Sequence, residues 1–152
     1  MDIRAGDLSD PKVLALLRAH LTAALANSPI CSAHALDETG LTAPDIRFWA
    51  AWDGEDLLGV GALRQIAPDH GEIKSMHVAL FRRRGGTGSA ILRHIIAAAR
   101  QHDMRRLSLE TGAADYFRPA QALYRKHGFA ECPPFGAYTA DPNSVFMTLE
   151  LE

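Results

Sequence analysis

The chain is poor in residues that staple or ligate. Its 152 residues include two cysteines, Cys31 and Cys132, far apart and outside any paired-ligand spacing, so free thiols are expected rather than a disulfide framework or a cysteine zinc site. Its seven histidines contain no His-x-x-x-His pair, so no metal is expected. Ser108 and Ser144 lack the glycine-flanked elbow of a hydrolase nucleophile, which argues against a covalent hydrolase. No apolar run approaches the roughly 18 residues of a membrane span. The opening residues, Met1 to Pro11, lack the apolar core of a signal peptide, so a cytoplasmic protein without a membrane partner is expected. A net charge of −2 lacks the broad basic face of a nucleic-acid binder, and no nucleic-acid partner is expected.

What is present is an ordinary globular composition, 47% hydrophobic and 22% charged, with no repeat or linker to divide it, so residues 1–152 read as one domain. Ile3 and Arg4 form a short strand. Ser9 and Asp10 can cap a helix opening on Pro11, with Leu14, Leu17, Leu21 and Leu25 along one stripe, ending near Asn27 to Pro29. Ile30 to Pro44 reads as a loop with a helical turn near Leu36 to Gly40. Ile46 to Trp52 and Leu57 to Gln65 alternate as strands joined through Asp53-Gly54, a dipeptide suited to a tight hairpin. A turn at Asp69 to Gly71 leads to Glu72 to Val78, which completes an antiparallel meander. A helix over Gly86 to His102, a strand over Arg106 to Thr111, a helix over Pro119 to His127 capped by Gly128, and strands over Phe129 to Cys132 and Val145 to Leu151 follow. The order predicts an α/β layered domain with a mixed, mostly antiparallel sheet of about six to seven strands flanked by helices.

The central feature is Met76-His77-Val78 followed, after a short turn, by Arg83-Arg84-Gly85-Gly86-Thr87-Gly88-Ser89 at the start of the long apolar-periodic helix. Backbone N–H groups gathered at a helix N-terminus attract phosphate, and glycines let it come close. Arg82, Arg83 and Arg84 concentrate basic charge beside this turn, which suggests a small anionic ligand. A Walker loop is excluded because none of Lys12, Lys74 and Lys126 follows a glycine. A dinucleotide fingerprint starting at Gly86 fails because Ile91 stands where glycine or alanine is needed.

The spacing of Arg83, Gly86 and Gly88 after a hydrophobic strand end resembles motif A of the GNAT acetyltransferases. Ala122 to Phe129, with Tyr124 on a short helix and Gly128-Phe129 opening a strand, resembles motif B of the same family. The element order also follows that family, so the resemblance covers nearly the whole chain. Ser32 to Asp37 and Phe135 to Leu151 are further similar to a bacterial subgroup of small YsnE-like GNAT proteins. The resemblance implies acetyl-CoA as cosubstrate, with Met76, His77 and Val78 pairing by backbone with its pantetheine arm. Arg83, Arg84, Gly85, Gly86, Thr87, Gly88 and Ser89 would hold its pyrophosphate. It also implies central strands that part at a bulge.

Acetyl transfer to an amine needs a proton acceptor, stabilisation of the thioester oxygen and a donor to the departing thiolate. By the resemblance, Tyr124 is the donor and a backbone N–H near His77 or Val78 meets the oxygen. Glu110 stands at the proton-acceptor position of GNAT enzymes that act on ribosomal-protein N-termini, and Glu72 competes with it for the role of base. Those enzymes carry asparagine seven residues before the tyrosine; Phe117 stands here, which favours a small-molecule amine acceptor over a peptide. Phe48, Trp49, Trp52 and Phe135 read as core, while Phe135 and Tyr138 precede the last strand, where acceptor pockets of this fold close. A catalytically idle acyl-CoA-binding module is the alternative to an enzyme, and a homodimer is left open.

Overall fold

The computed structural model describes residues 1–27, 40–79 and 85–151. Strand β1 (Asp2–Ala5) is followed by helix α1 (Pro11–Asn27), a 3₁₀ turn at Gly40–Thr42, and the strands β2 (Ile46–Asp53), β3 (Asp56–Ala67) and β4 (His70–Val78). Helix α2 (Thr87–Gln101), β5 (Arg106–Gly112), a 3₁₀ turn at Asp115–Phe117, α3 (Arg118–Lys126), β6 (Ala130–Glu131) and β7 (Ser144–Glu150) complete the chain. They build a seven-stranded sheet in the order β1-β2-β3-β4-β5-β7-β6. β4 and β5 run parallel and the other neighbours antiparallel, because a helical crossover connects β4 to β5 whereas short turns connect the meander.

Local chemistry sets the element ends. Asp10, rather than Ser9, caps α1: its Oδ1 accepts the Lys12 N–H at 2.8 Å, and Ser9 instead donates to Asp7. Gly54, at φ +58°, turns the β2–β3 hairpin, and Gly128, at φ +96°, ends α3. In the last strand before β7, Ala130 and Glu131 pair with it, and the Cys132 N–H adds one bond to the Phe146 carbonyl at 2.9 Å. The expected turn at Leu36 to Gly40 lies mostly outside the described residues, as does Cys31; Cys132 is a free thiol.

Two apolar clusters sit on opposite faces of the sheet. Ile91, Leu92, Ile95 and Ala99 of α2 pack on Leu63, Ile73, Leu107, Leu109 and Met147, with Tyr124 and Phe129 at their margin. Removing a buried Leu or Ile from this layer to Ala would cost about 2–5 kcal/mol. On the other face α1 packs through Val13 and Leu17 against Val60, Ala62, Ala50 and Trp52. The expected leucine stripe is therefore only partly the packed one, and Leu25 is exposed. Leucines and alanines recur all round this helix, so spacing alone does not fix the buried face. Gly59 and Gly61 let α2 approach β3: a Cβ at either would meet Ile91 within 2.9 Å.

Candidate active site

The parallel pair β4–β5 is the place where the sheet opens. Pairing runs from His70 opposite Arg106 to Ile73 opposite Leu109 and stops there, although β4 continues to Val78 and β5 to Gly112. The cause is visible on the other edge of β4. Its register with β3 passes from Val60–His77 to Ala62–Lys74, so Gly61 faces two residues, Ser75 and Met76. This is a β-bulge, which bends the strand and strengthens its twist. Ser75 takes the left-handed conformation at φ +55°, uncommon for a residue with a Cβ.

Met76, His77 and Val78 form the stretch of β4 beyond the opening. The turn that follows carries Gly85 and Gly86 into α2, with Gly86 at φ +85° as its N-cap and no side chain capping the helix. The N–H groups of the first turn therefore face outward at the positive end of the dipole, a geometry that suits an anion. Thr87 and Ser89 are buried. Ser89 Oγ lies 3.1 Å from His127 Nε2, tying α2 to the end of α3. A Cβ at Gly88 would meet Leu123 of α3 at 3.0 Å. Arg83 and Arg84 lie outside the described residues.

Tyr124 is buried on α3, its ring edge-on to Phe129 at 5.8 Å between centroids. Burial raises its hydroxyl well above the usual tyrosine range, so the group keeps its proton at any working pH.

The two candidate carboxylates occupy different settings. Glu72 lies in the paired part of β4, opposite Ser108, and is 2% exposed. Its Oε2 accepts from Tyr138 Oη at 2.5 Å and from Lys74 Nζ at 3.3 Å, while Lys74 Nζ also donates to Tyr138 Oη at 2.9 Å. Glu110 is the first residue of β5 beyond the last β4–β5 pair; its Oε2 accepts from Ser144 Oγ at 2.8 Å. Burial, the hydrogen bond to Glu72 and the charges of Glu72 and Glu110 all push the Tyr138 hydroxyl upward. Tyr138 thus sits near both acids. Beside this group His70 Nε2 meets Ser108 Oγ at 2.7 Å, and Ser108 Oγ meets Thr148 Oγ1 at 3.0 Å.

On the α1 side, a cavity of about 650 Å³ is lined by Leu16, Ala19 and Ala23 of α1 together with Leu57, His77 and Tyr116, a volume suited to a small molecule. At its wall the Nδ1 atoms of His20 and His77 are 3.1 Å apart. One of them must donate and the other accept, so the two rings hold complementary tautomers. Burial pushes His20 down to about 4, which keeps it neutral.

Met76 to Val78 on β4 and Glu110 on β5 thus lie beyond the last pair of the two strands, the glycines at 85–86 lead into α2, and Glu72 lies in the paired part in an ion pair with Lys74. Sequence reasoning missed Lys74, Ser75 and His20. For Lys74 a signal existed, since Glu72 and Lys74 are two apart on a strand and must share a face. Among the described residues no group of three or more His, Cys, Asp or Glu could hold a metal, and no helix is long and apolar enough to cross a membrane.

A family model described as Acetyltransferase (GNAT) family matches residues 14–129. The chain is 46% identical over 149 residues to "Uncharacterized N-acetyltransferase YedL" of Escherichia coli (strain K12), covering 98% of this chain and 94% of that protein. It is 45% identical over 151 residues to "Uncharacterized N-acetyltransferase YsnE" of Bacillus subtilis (strain 168), covering 99% and 100%. Among solved structures, a candidate acyl-CoA N-acyltransferase from Klebsiella pneumoniae superposes with a TM-score of 0.80 at 28% identity, over 99% of this chain and 97% of that one. On the strength of a family model spanning most of its length and two near-full-length N-acetyltransferase relatives, the chain belongs to the GNAT acetyltransferase family and is an acyl-CoA-dependent N-acyltransferase.

Proposed function

We propose that this enzyme moves an acetyl group from acetyl-CoA directly onto the amine of a small molecule, within a single domain. The observation that carries the reading is the opening between β4 and β5, with the uncapped glycine turn of α2 beyond it and Glu110 at its apex. The residues suit the cosubstrate. Met76 to Val78 offer backbone to an extended pantetheine arm, as a sheet edge accepts an added strand. The first-turn N–H groups of Thr87, Gly88 and Ser89 suit a pyrophosphate, with Arg83 and Arg84 supplying charge.

In the reaction the amine loses a proton and attacks the thioester carbonyl, a new C–N bond forms, and the C–S bond breaks to release coenzyme A. Glu110 takes the proton, directly or through a water, because an alkylammonium has no lone pair to offer at neutral pH. A backbone N–H near His77 or Val78 stabilises the negative charge that develops on the carbonyl oxygen. Tyr124 donates to the departing sulfur. A thiol has a pKa of about 8.5 and a tyrosine about 10, and burial raises Tyr124 further. Full proton transfer from Tyr124 would thus run uphill, and its service is a hydrogen bond to the thiolate.

One feature supports a small acceptor over a peptide. The ring of Phe117 packs against Gly112 at the end of β5, an apolar surface where the ribosomal-protein enzymes carry asparagine. The test is acetyl-CoA turnover, read as free thiol, against a panel of small amines and short peptides. Turnover with small amines and not with peptides supports the proposal; turnover confined to peptides overturns the acceptor class.

A further inference from the structure

Within the acetyl-transfer reading, an ammonium acceptor should meet negative charge, yet a lysine stands at the opening. Glu72 and Ser108 are paired neighbours on β4 and β5 and lie on the face away from α2, since Ile73, Leu107 and Leu109 pack against that helix. Two residues further along each strand come Lys74 and Glu110, again on one face. They are the first residues past the point where the strands part. A cation and an anion thus flank the apex, one on each strand.

Lys74 is not a solvated surface charge. Its side chain is 8% exposed and paired with Glu72, which is 3% exposed. Burying such a pair is costly unless further hydrogen bonds support it, and Tyr138 bonds to both members. The ammonium has three N–H donors, and its partners among the described residues are Glu72 and Tyr138, which leaves one donor. Buried polar groups rarely go unpaired, and the spare donor that faces Glu110 across the apex is the one on Lys74. Glu110 can meet the ammonium of an acceptor, while the remaining Lys74 donor suits a negative group carried by the same molecule.

We propose that Lys74, held by Glu72 and Tyr138, binds a carboxylate of the acceptor, so that the substrate class is carboxylate-bearing amines of amino-acid type. Glu72 then has a positioning role: it fixes the lysine and leaves deprotonation to Glu110. The wall beside Lys74 is aromatic, with the rings of Phe135, Tyr138 and Phe146 within 5.9 Å of one another, which suits an apolar side chain on the same molecule.

The test compares proteinogenic amino acids with their primary amides, first in turnover with acetyl-CoA and then in binding to the enzyme saturated with coenzyme A, by calorimetry. Capping the carboxylate lowers the pKa of the amine, so intrinsic reactivity alone favours the amide. Loss of one charge-assisted contact should nonetheless make the acid better by about ten-fold or more in both assays. Lys74→Met should bring the acid-to-amide ratio near one, and Lys74→Arg should keep part of the preference. A purely structural lysine would lower both substrates together and leave the ratio unmoved. Wild-type enzyme that acetylates acids and amides alike overturns the carboxylate site and leaves the acetyl-transfer reading standing. Acid-selective binding without turnover of any amine supports the site and overturns that reading instead.

Discussion

Replacing Tyr124 by phenylalanine removes one oxygen from a buried ring and little else. The ring keeps its edge contact with Phe129, so the fold should lose no more than about 1 kcal/mol. In catalysis the loss is one hydrogen bond to a group that becomes charged only as the C–S bond breaks, about 1.5–3 kcal/mol, or about ten- to a hundred-fold in kcat. Because the contact strengthens with the developing charge, KM for acetyl-CoA should stay within about two-fold of wild type. The assay is steady-state thiol release under saturating acceptor, with the melting temperature and coenzyme A affinity of the same preparation measured alongside. Since the hydroxyl keeps its proton throughout the working range, wild type and variant should share the same pH limbs. Unchanged kcat in a folded variant would remove Tyr124 from the mechanism, and a fall matched by equal loss of coenzyme affinity would make it a binding residue.

Glu110→Gln should lower turnover near neutrality by about a hundred-fold or more and move the rate optimum to higher pH, where free amine exists without help. Glu72→Gln should keep the acid limb, and pH–rate profiles showing the opposite pattern would exchange the two roles. Gly86→Val places a branched side chain at φ +85°, so the rise in melting temperature on adding acetyl-CoA should vanish in the variant; a preserved shift would place the phosphate site elsewhere. His20 has a folded value near 4 against about 6.5 in the unfolded chain. As pH falls below about 6.5 the unfolded state takes up a proton that the folded state refuses, so its contribution is present above that pH and is lost toward pH 4, by at most about 3 kcal/mol. Denaturant titrations of His20→Phe over this window should show a shallower decline than wild type, and identical slopes would refute the assignment.

Much of the fold was legible because its signals are local. The Asp53-Gly54 hairpin, the glycines opening α2 and Gly128 closing α3 each impose a backbone conformation that few other residues tolerate. The parting of β4 and β5 is a different matter. It depends on a bulge at Ser75 and Met76 opposite Gly61, and nothing in the alternation of Glu72 to Val78 announces an extra residue. The face of α1 was only partly legible because its apolar residues surround the helix, and packing against Val60 and Ala62 selects Val13 and Leu17. Among the candidate site residues, the glycine turn, Tyr124 and the two glutamates are proposed from spacing and family pattern. The different settings of Glu72 and Glu110 were not legible, because Glu72 is bonded to Tyr138, 66 residues away in sequence, and only the folded sheet brings the two together.

The most direct test of the central claim is to incubate the enzyme with acetyl-CoA and a set of small amines and measure, in one reaction, both the free thiol and the mass of the acceptor. Direct transfer at the opening between β4 and β5 predicts one acetylated amine per thiol released, no acetylated protein, and loss of both signals in Gly86→Val. Thiol release without an acetylated acceptor, or acetyl groups accumulating on the protein, would contradict the account.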